Sequence, residues 1–271
     1  MTCLYPKYLP SWTSKASLVV CGKCIVCREN RIKDWYVRLY SELSYCDYSY
    51  TVTLTYDEEH LPGDGNLCIE DIQKYFKRLR FNSKQLSYKF YYSGEYGEQE
   101  GRPHFHAIVF AYLYRCVNPN SKVEIKELLK NSWGLGNVYL DLVSKQSCRY
   151  VLDYLQKDYY RWKGKKKVEP FQRMSKSLGL NYLVDNESRI CDVGYISVGQ
   201  VKHRVPRYYR KKSELVNNAL NEKNDELLEN DELSEAELYK RYQDKSRGIV
   251  EKARQVERNI KQRKKIKRGT L

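Results

Sequence analysis

The chain has 271 residues, 41% hydrophobic and 13% aromatic, which suits one large domain or one domain with an appendage. Its formal net charge of +15 points to a polyanionic partner, most often nucleic acid, with a solvated basic surface as the plain alternative. No apolar run approaches the about 20 residues of a membrane span, and the first residues lack the charged start and apolar core of a secretory signal. The nine scattered cysteines, an odd number, argue against a disulfide framework and for a reducing compartment, the cytoplasm.

Residues 1–20 read as irregular. From Cys27 the chain has helical spacing, with Ile32, Trp35 or Tyr36, Leu39 and Leu43 on one face. YSYTVTLTY, residues 48–56, alternates like a strand and is rich in β-branched and aromatic side chains. A loop over Asp57–Asn66 carries Pro62, Gly63 and Gly65. CIEDIQKYFKRLRF predicts a second helix, and KFYYSGEYG and HFHAIVFAY predict two strands joined as a hairpin. KVEIKELLKNSW reads as helix, GNVYLDLVS as strand and CRYVLDYLQKDYY as helix. The order, a helix followed by β-α-β-β-α-β-α, predicts an α+β fold: an antiparallel ferredoxin-like sheet with helices on one face.

After Tyr160 the pattern changes. RWKGKKK is a basic loop, and a less regular segment runs to RVPRYYRKK. From Ser213 the chain is charged, poor in glycine and helical in character, with an acidic middle and a basic end. The expected organisation is a cysteine-containing segment (1–30), a core (31–165), a basic accessory segment (166–212) and a C-terminal helical tail (213–271).

Two of only four histidines fall in GRPHFHAIVF. Positions i and i+2 of a strand face the same way, so His104 and His106 project together. Glu95 precedes them across the hairpin, where an antiparallel partner strand can bring its carboxylate beside the imidazoles; Glu98 and Glu100, in the turn, are alternatives. Two imidazoles and a carboxylate can hold a divalent cation with positions open to a substrate oxygen. Two surface histidines without metal are the alternative. The helix CRYVLDYLQK carries Tyr150, Tyr154 and Lys157 at spacings of four and three, hence on one face. A tyrosine can serve as phosphoryl nucleophile where metal and cationic neighbours offset its pKa of about 10. Lys157 would stabilise phosphate charge or assist proton transfer. The alternative is an amphipathic helix whose tyrosines pack on the sheet.

Cys21, Cys24 and Cys27 form Cys-x-x-Cys-x-x-Cys. Thiolates at this spacing can share a zinc ion or an iron–sulfur cluster, with Cys3 as candidate fourth ligand; free thiols around a tight turn are the alternative. Lys163, Lys165, Lys166, Lys167, Arg207, Arg210, Lys211 and Lys212 flank the core. They could follow a phosphate backbone, with tyrosines as stacking platforms for unpaired bases, or merely solubilise the chain.

The His-x-His strand, the upstream glutamate and the later Tyr-x-x-x-Tyr-x-x-Lys helix resemble the HUH endonucleases, in the order used by rolling-circle initiators. TVTLTY, residues 51–56, resembles their first motif, a strand near the DNA, and makes Thr53, Thr55 and the nearby Arg102 expected DNA contacts. The resemblance is closer still to replication initiation proteins of gokushoviruses, single-stranded DNA phages of the Microviridae. It rests on VVCGKCIVCRENRIKDWYVR, TLTYDEEHLP, GEYGEQEGRPHFHAIVF, RMSKSLGLNY and VPRYYRKK, and spans roughly residues 3–212.

This resemblance implies an HUH/Rep-type core and a site-specific nick in single-stranded DNA at a phage origin. It implies a 5′-phosphotyrosine link, later strand rejoining, and a free 3′-hydroxyl that primes the host DNA replication machinery in the bacterial cytoplasm. Mg²⁺ or Mn²⁺ is the expected cofactor, with a structural zinc at the N-terminal cysteines as a second candidate. The family often has lysine three residues after each tyrosine. Here Asp153 follows Tyr150, and only Tyr154 keeps its lysine, Lys157, which marks Tyr154 as the better-activated nucleophile and Tyr150 as its partner. A plasmid-type initiator, an HUH transposase and a non-catalytic single-strand-binding protein are the competing readings.

Overall fold

The computed structural model describes residues 3, 7–9, 17–97, 101–114, 124–157, 168–229 and 251. It has the expected α+β architecture. The chain divides into two units, Ile32–Asn217 and a second made of Met1–Arg31 with Asn218–Leu271.

In the larger unit the strands are β3 (Tyr48–Thr55), β4 (Leu86–Tyr96), β5 (Pro103–Leu113), β6 (Val138–Leu142) and β7 (Phe171–Met174). They form one antiparallel sheet in the order β6-β3-β5-β4-β7. Between the strands lie α2 (Ile69–Asn82), α3 (Ile125–Asn131) and α4 (Lys145–Lys157). The first four of these strands have the ferredoxin-like order, with β5 central between β3 and β4. β7 is a fifth strand, drawn from the stretch that read as an irregular accessory segment. Then follow α5 (Leu180–Val193), the hairpin β8 (Tyr195–Val198) and β9 (Val201–Arg204), and α6 (Arg207–Lys212).

Alternation explains how the strands face. In β3, Tyr50, Val52 and Leu54 are buried, and in β5 Phe105, Ala107, Val109 and Ala111 share their face. α2 covers that face with Ile72, Tyr75, Phe76 and Leu79, a helical stripe, and Trp133 seals its end. Glu70 and Asp71 in its first turn and Arg80 in its last suit the helix dipole. The helices do not stop at that face. Ile108 and Phe110 of β5 and Tyr91 of β4 point the other way, into a second cluster with Leu39 of α1 (Ile25–Glu42) and Cys148, Val151 and Leu152 of α4. The physical reason is in β5 itself. Its run from Phe105 to Ala111 is buried at every position, so both faces of the central strand need cover.

α4 opens on a reciprocal cap: the Ser147 N–H donates to Ser144 Oγ (3.0 Å) and the Ser144 N–H to Ser147 Oγ (2.6 Å). Gly136 secures the approach of the α3–β6 turn to β3. Its φ is +142°, and a Cβ there would lie 2.3 Å from the Thr55 carbonyl oxygen. The Trp133 indole N–H donates to the same carbonyl (3.0 Å).

Glu42, the last residue of α1, is fully buried. Its carboxylate takes the Lys89 ammonium of β4 at 2.7 Å, the Tyr112 hydroxyl of β5 and the Gly179 N–H that precedes α5. One side chain thus joins α1, two strands and the start of α5.

In the smaller unit, β1 (Lys7–Leu9) and β2 (Ser17–Val19) pair antiparallel within the stretch that read as irregular. Three-residue strands are too short for alternation to register in sequence. The expected helical tail begins as α7 (Glu214–Glu229); apart from Glu251, its remainder lies outside the described residues. No helix of the described residues is long and apolar enough to cross a membrane.

Candidate active site

The site is built on the α4 face of the sheet. His104 and His106 occupy alternate positions of β5 and share a face. The register sets Glu95 of β4 opposite His104, and Ser93 of β4 and Thr53 of β3 on either side of His106. One ligand atom from each of Glu95, His104 and His106 falls within 4.8 Å of the others. Glu95 Oε1 is 3.5 Å from His106 Nε2. The rings of the two histidines stand edge to face, 4.9 Å between centroids.

The surroundings favour this donor set as cation ligands. Burial, with the nearby His104 as a lesser cause, lowers the His106 pKa from 6.5 to about 3, so the ring is neutral at working pH. His104 Nδ1 lies 3.2 Å from the Arg102 carbonyl oxygen. A carbonyl only accepts, so the proton is on Nδ1 and the lone pair of the neutral ring is on Nε2. His106 Nδ1 lies 2.9 Å from Thr53 Oγ1, which leaves Nε2 as the atom turned to Glu95. Two imidazole nitrogens and one carboxylate suit Mn²⁺ or Mg²⁺ bound with further oxygen ligands.

α4 brings the tyrosines to this face. The Tyr150 ring stands edge-on to His106, 6.1 Å between centroids and 82° between planes, and the residue is 52% exposed. Tyr154 and Lys157 follow in the same helix; their side chains lie outside the described residues.

The residues expected to contact DNA divide. Thr53 sits inside the site as the hydrogen-bond partner of His106, a role the sequence reading missed. The signal was present, because Thr53 alternates with Thr55 in TVTLTY on a strand that had to neighbour the histidines. Thr55 Oγ1 donates to the Asn137 carbonyl (3.4 Å). Arg102 donates to Glu58 (2.5 Å) and to the Tyr56 carbonyl (2.9 Å). Arg207, Lys211 and Lys212 are exposed on α6, and Arg210 donates to Asn217 (3.1 Å). Glu98, Glu100, Lys163, Lys165, Lys166 and Lys167 lie outside the described residues. In the smaller unit, Cys3, Cys21, Cys24 and Cys27 form a separate group whose sulfurs all lie within 4.8 Å of one another.

The molecule is thus an α+β domain with a candidate cation centre on one sheet face and a tyrosine-bearing helix beside it. A family model for replication-associated proteins of the ORF2 type matches residues 49–159, from β3 through α4. The chain is similar to replication-associated protein VP4 of Bdellovibrio phage phiMH2K, at 28% identity over 70% of this chain and 65% of the relative. It is likewise similar to replication-associated protein ORF2 of Spiroplasma virus 4 (29%; 72% and 68%) and ORF4 of Chlamydia phage 1 (29%; 70% and 52%). The match thus spans between half and just over two thirds of these relatives' lengths. No solved structure matches. The similarity to phage replication-associated proteins implied by the sequence motifs is borne out.

Proposed function

We propose that this chain is a divalent-cation-dependent, site-specific nickase and strand transferase that starts rolling-circle replication of a single-stranded DNA phage. The observation that carries the reading is the convergence of Glu95, His104 and His106 on the sheet face packed by α4, with the Tyr150 ring beside His106. Binding alone requires neither a ligand triad nor an adjacent phenol. The relatives' descriptions as replication-associated proteins support the same direction.

In this reading Glu95, His104 and His106 hold the cation, which would offset charge on the oxygens of the scissile phosphate. A phenolic oxygen of α4 attacks phosphorus, the P–O3′ bond breaks, and the 3′ oxygen leaves as a hydroxyl after taking a proton. The 5′-phosphate stays on the tyrosine and retains the energy of the ester. Reversal by a 3′-hydroxyl rejoins strands. Tyr154, four residues on in the same helix, supplies the second phenol, and Lys157 the nearby cation. The basic residues of α6 attract the DNA backbone. The free 3′-hydroxyl would be extended by the host replication machinery in the bacterial cytoplasm.

The test is a denaturing gel with single-stranded circles of the genome that encodes the chain. The expected product is a protein–DNA band that survives boiling, needs Mn²⁺ or Mg²⁺, and is absent with His106→Ala and with the Tyr150→Phe/Tyr154→Phe double variant. An unchanged band in the double variant would overturn the proposal. The single variants rank the phenols: loss with Tyr154→Phe makes it the first nucleophile, and loss with Tyr150→Phe reverses the order.

A further inference from the structure

We infer that Cys3, Cys21, Cys24 and Cys27 form a closed, mononuclear zinc site that fastens the chain around Cys3 to the start of α1. The site is independent of the Glu95–His104–His106 group.

The distances carry the inference. Cys3 Sγ is 3.9 Å from Cys24 Sγ and 3.5 Å from Cys27 Sγ, and Cys21 Sγ is 3.9 Å from Cys27 Sγ. Four thiolates about 2.3 Å from one zinc lie on a tetrahedron with edges of about 3.8 Å. The four cysteines are free, and the separations far exceed the about 2.05 Å of a disulfide. A cluster of two or four irons would spread its thiolates around several metal atoms, whereas all four sulfurs here fall within 4.8 Å of one another.

The backbone offers a second, independent observation. The Cys21 N–H points at Cys3 Sγ (3.2 Å), those of Lys23 and Cys24 at Cys21 Sγ (3.5 and 3.3 Å), and that of Cys27 at Cys24 Sγ (3.4 Å). Such donors suit thiolates, which accept far better than thiols. Gly22, at φ +70°, permits the turn between the first two ligands of the motif. The Arg28 guanidinium clamps this turn by two bonds to the Lys23 carbonyl (2.8 and 2.7 Å). Lys23, Arg28 and Arg31 place positive charge near a centre that would carry two net negative charges. With four protein ligands no position stays open to substrate, so the role is structural.

The test uses the full chain purified under reducing conditions. One zinc per chain is expected by elemental analysis, released as a mercurial titrates the thiols. It should be retained in the His104→Ala/His106→Ala variant, so the result does not depend on the nicking reaction. Replacement by Co²⁺ should produce the intense thiolate-to-metal absorption of a tetrahedral sulfur site. Cys3→Ser should weaken that absorption and raise the rate of zinc loss at least about tenfold. A zinc-free native chain whose thiols react at the same rate with and without added zinc would overturn the site. Stoichiometric iron in place of zinc would overturn the choice of ion.

Discussion

Thr53 Oγ1 of β3 lies 2.9 Å from Nδ1 of His106 on the neighbouring β5. The register makes the contact obligatory, because Thr53 and His106 are direct partners in the sheet. With His106 bound through Nε2, Nδ1 carries the proton and Thr53 accepts it, which holds the ring's tautomer and angle. Thr53 is therefore a positioning residue.

Thr53→Val keeps the shape and removes the acceptor. The expected outcome is a divalent-ion affinity reduced about 10- to 100-fold with the fold intact. A Mn²⁺ titration of adduct formation reads it, and Thr53→Ser should restore most of the loss. An unchanged Mn²⁺ midpoint in Thr53→Val would count against the role.

Glu42 predicts a stability effect far from the site. Its buried carboxylate satisfies the Lys89 ammonium, the Tyr112 hydroxyl and the Gly179 N–H together. Glu42→Ala leaves all three without it, and breaking a buried ion pair from one side costs about 3–5 kcal/mol. Urea unfolding should show that loss. A change under about 1 kcal/mol would mean that water replaces the carboxylate at little cost.

His106 predicts an acid-sensitive metal-free protein. Burial, then His104, lowers its pKa from the ordinary 6.5 to about 3. Between those values the unfolded chain takes up a proton that the folded chain refuses. Stability therefore rises with pH across that window and is lost as pH falls from 6.5 toward 3, by up to about 1.4 kcal/mol per pH unit from this group. Carboxylates titrate in the same range, so the informative quantity is the difference from His106→Gln. The variant's urea midpoint, measured in a chelator, should fall less steeply with acid; parallel curves would refute the claim.

Much of the site was legible because β-structure has period two. Alternation in HFH put both imidazoles on one face, and the short hairpin from Glu95 restricted where that carboxylate could lie. The helix carrying Tyr150 was legible from its spacing. Thr53 was misread because a threonine beside a nucleic-acid motif looks like a phosphate contact until the sheet register assigns it a histidine. β7 escaped notice because four residues, Phe171–Met174, show too little pattern, and their pairing with β4 is made by residues about 80 positions away.

Local periodicity was enough to set most of the elements, their order, the α+β class, and which imidazoles share a strand face. It could not say that helices cover both sheet faces, that Tyr150 stands beside His106, or that Cys3 joins the three clustered thiols. Those features rest on contacts between segments far apart in the chain, and a local pattern carries no record of which distant surface will meet it.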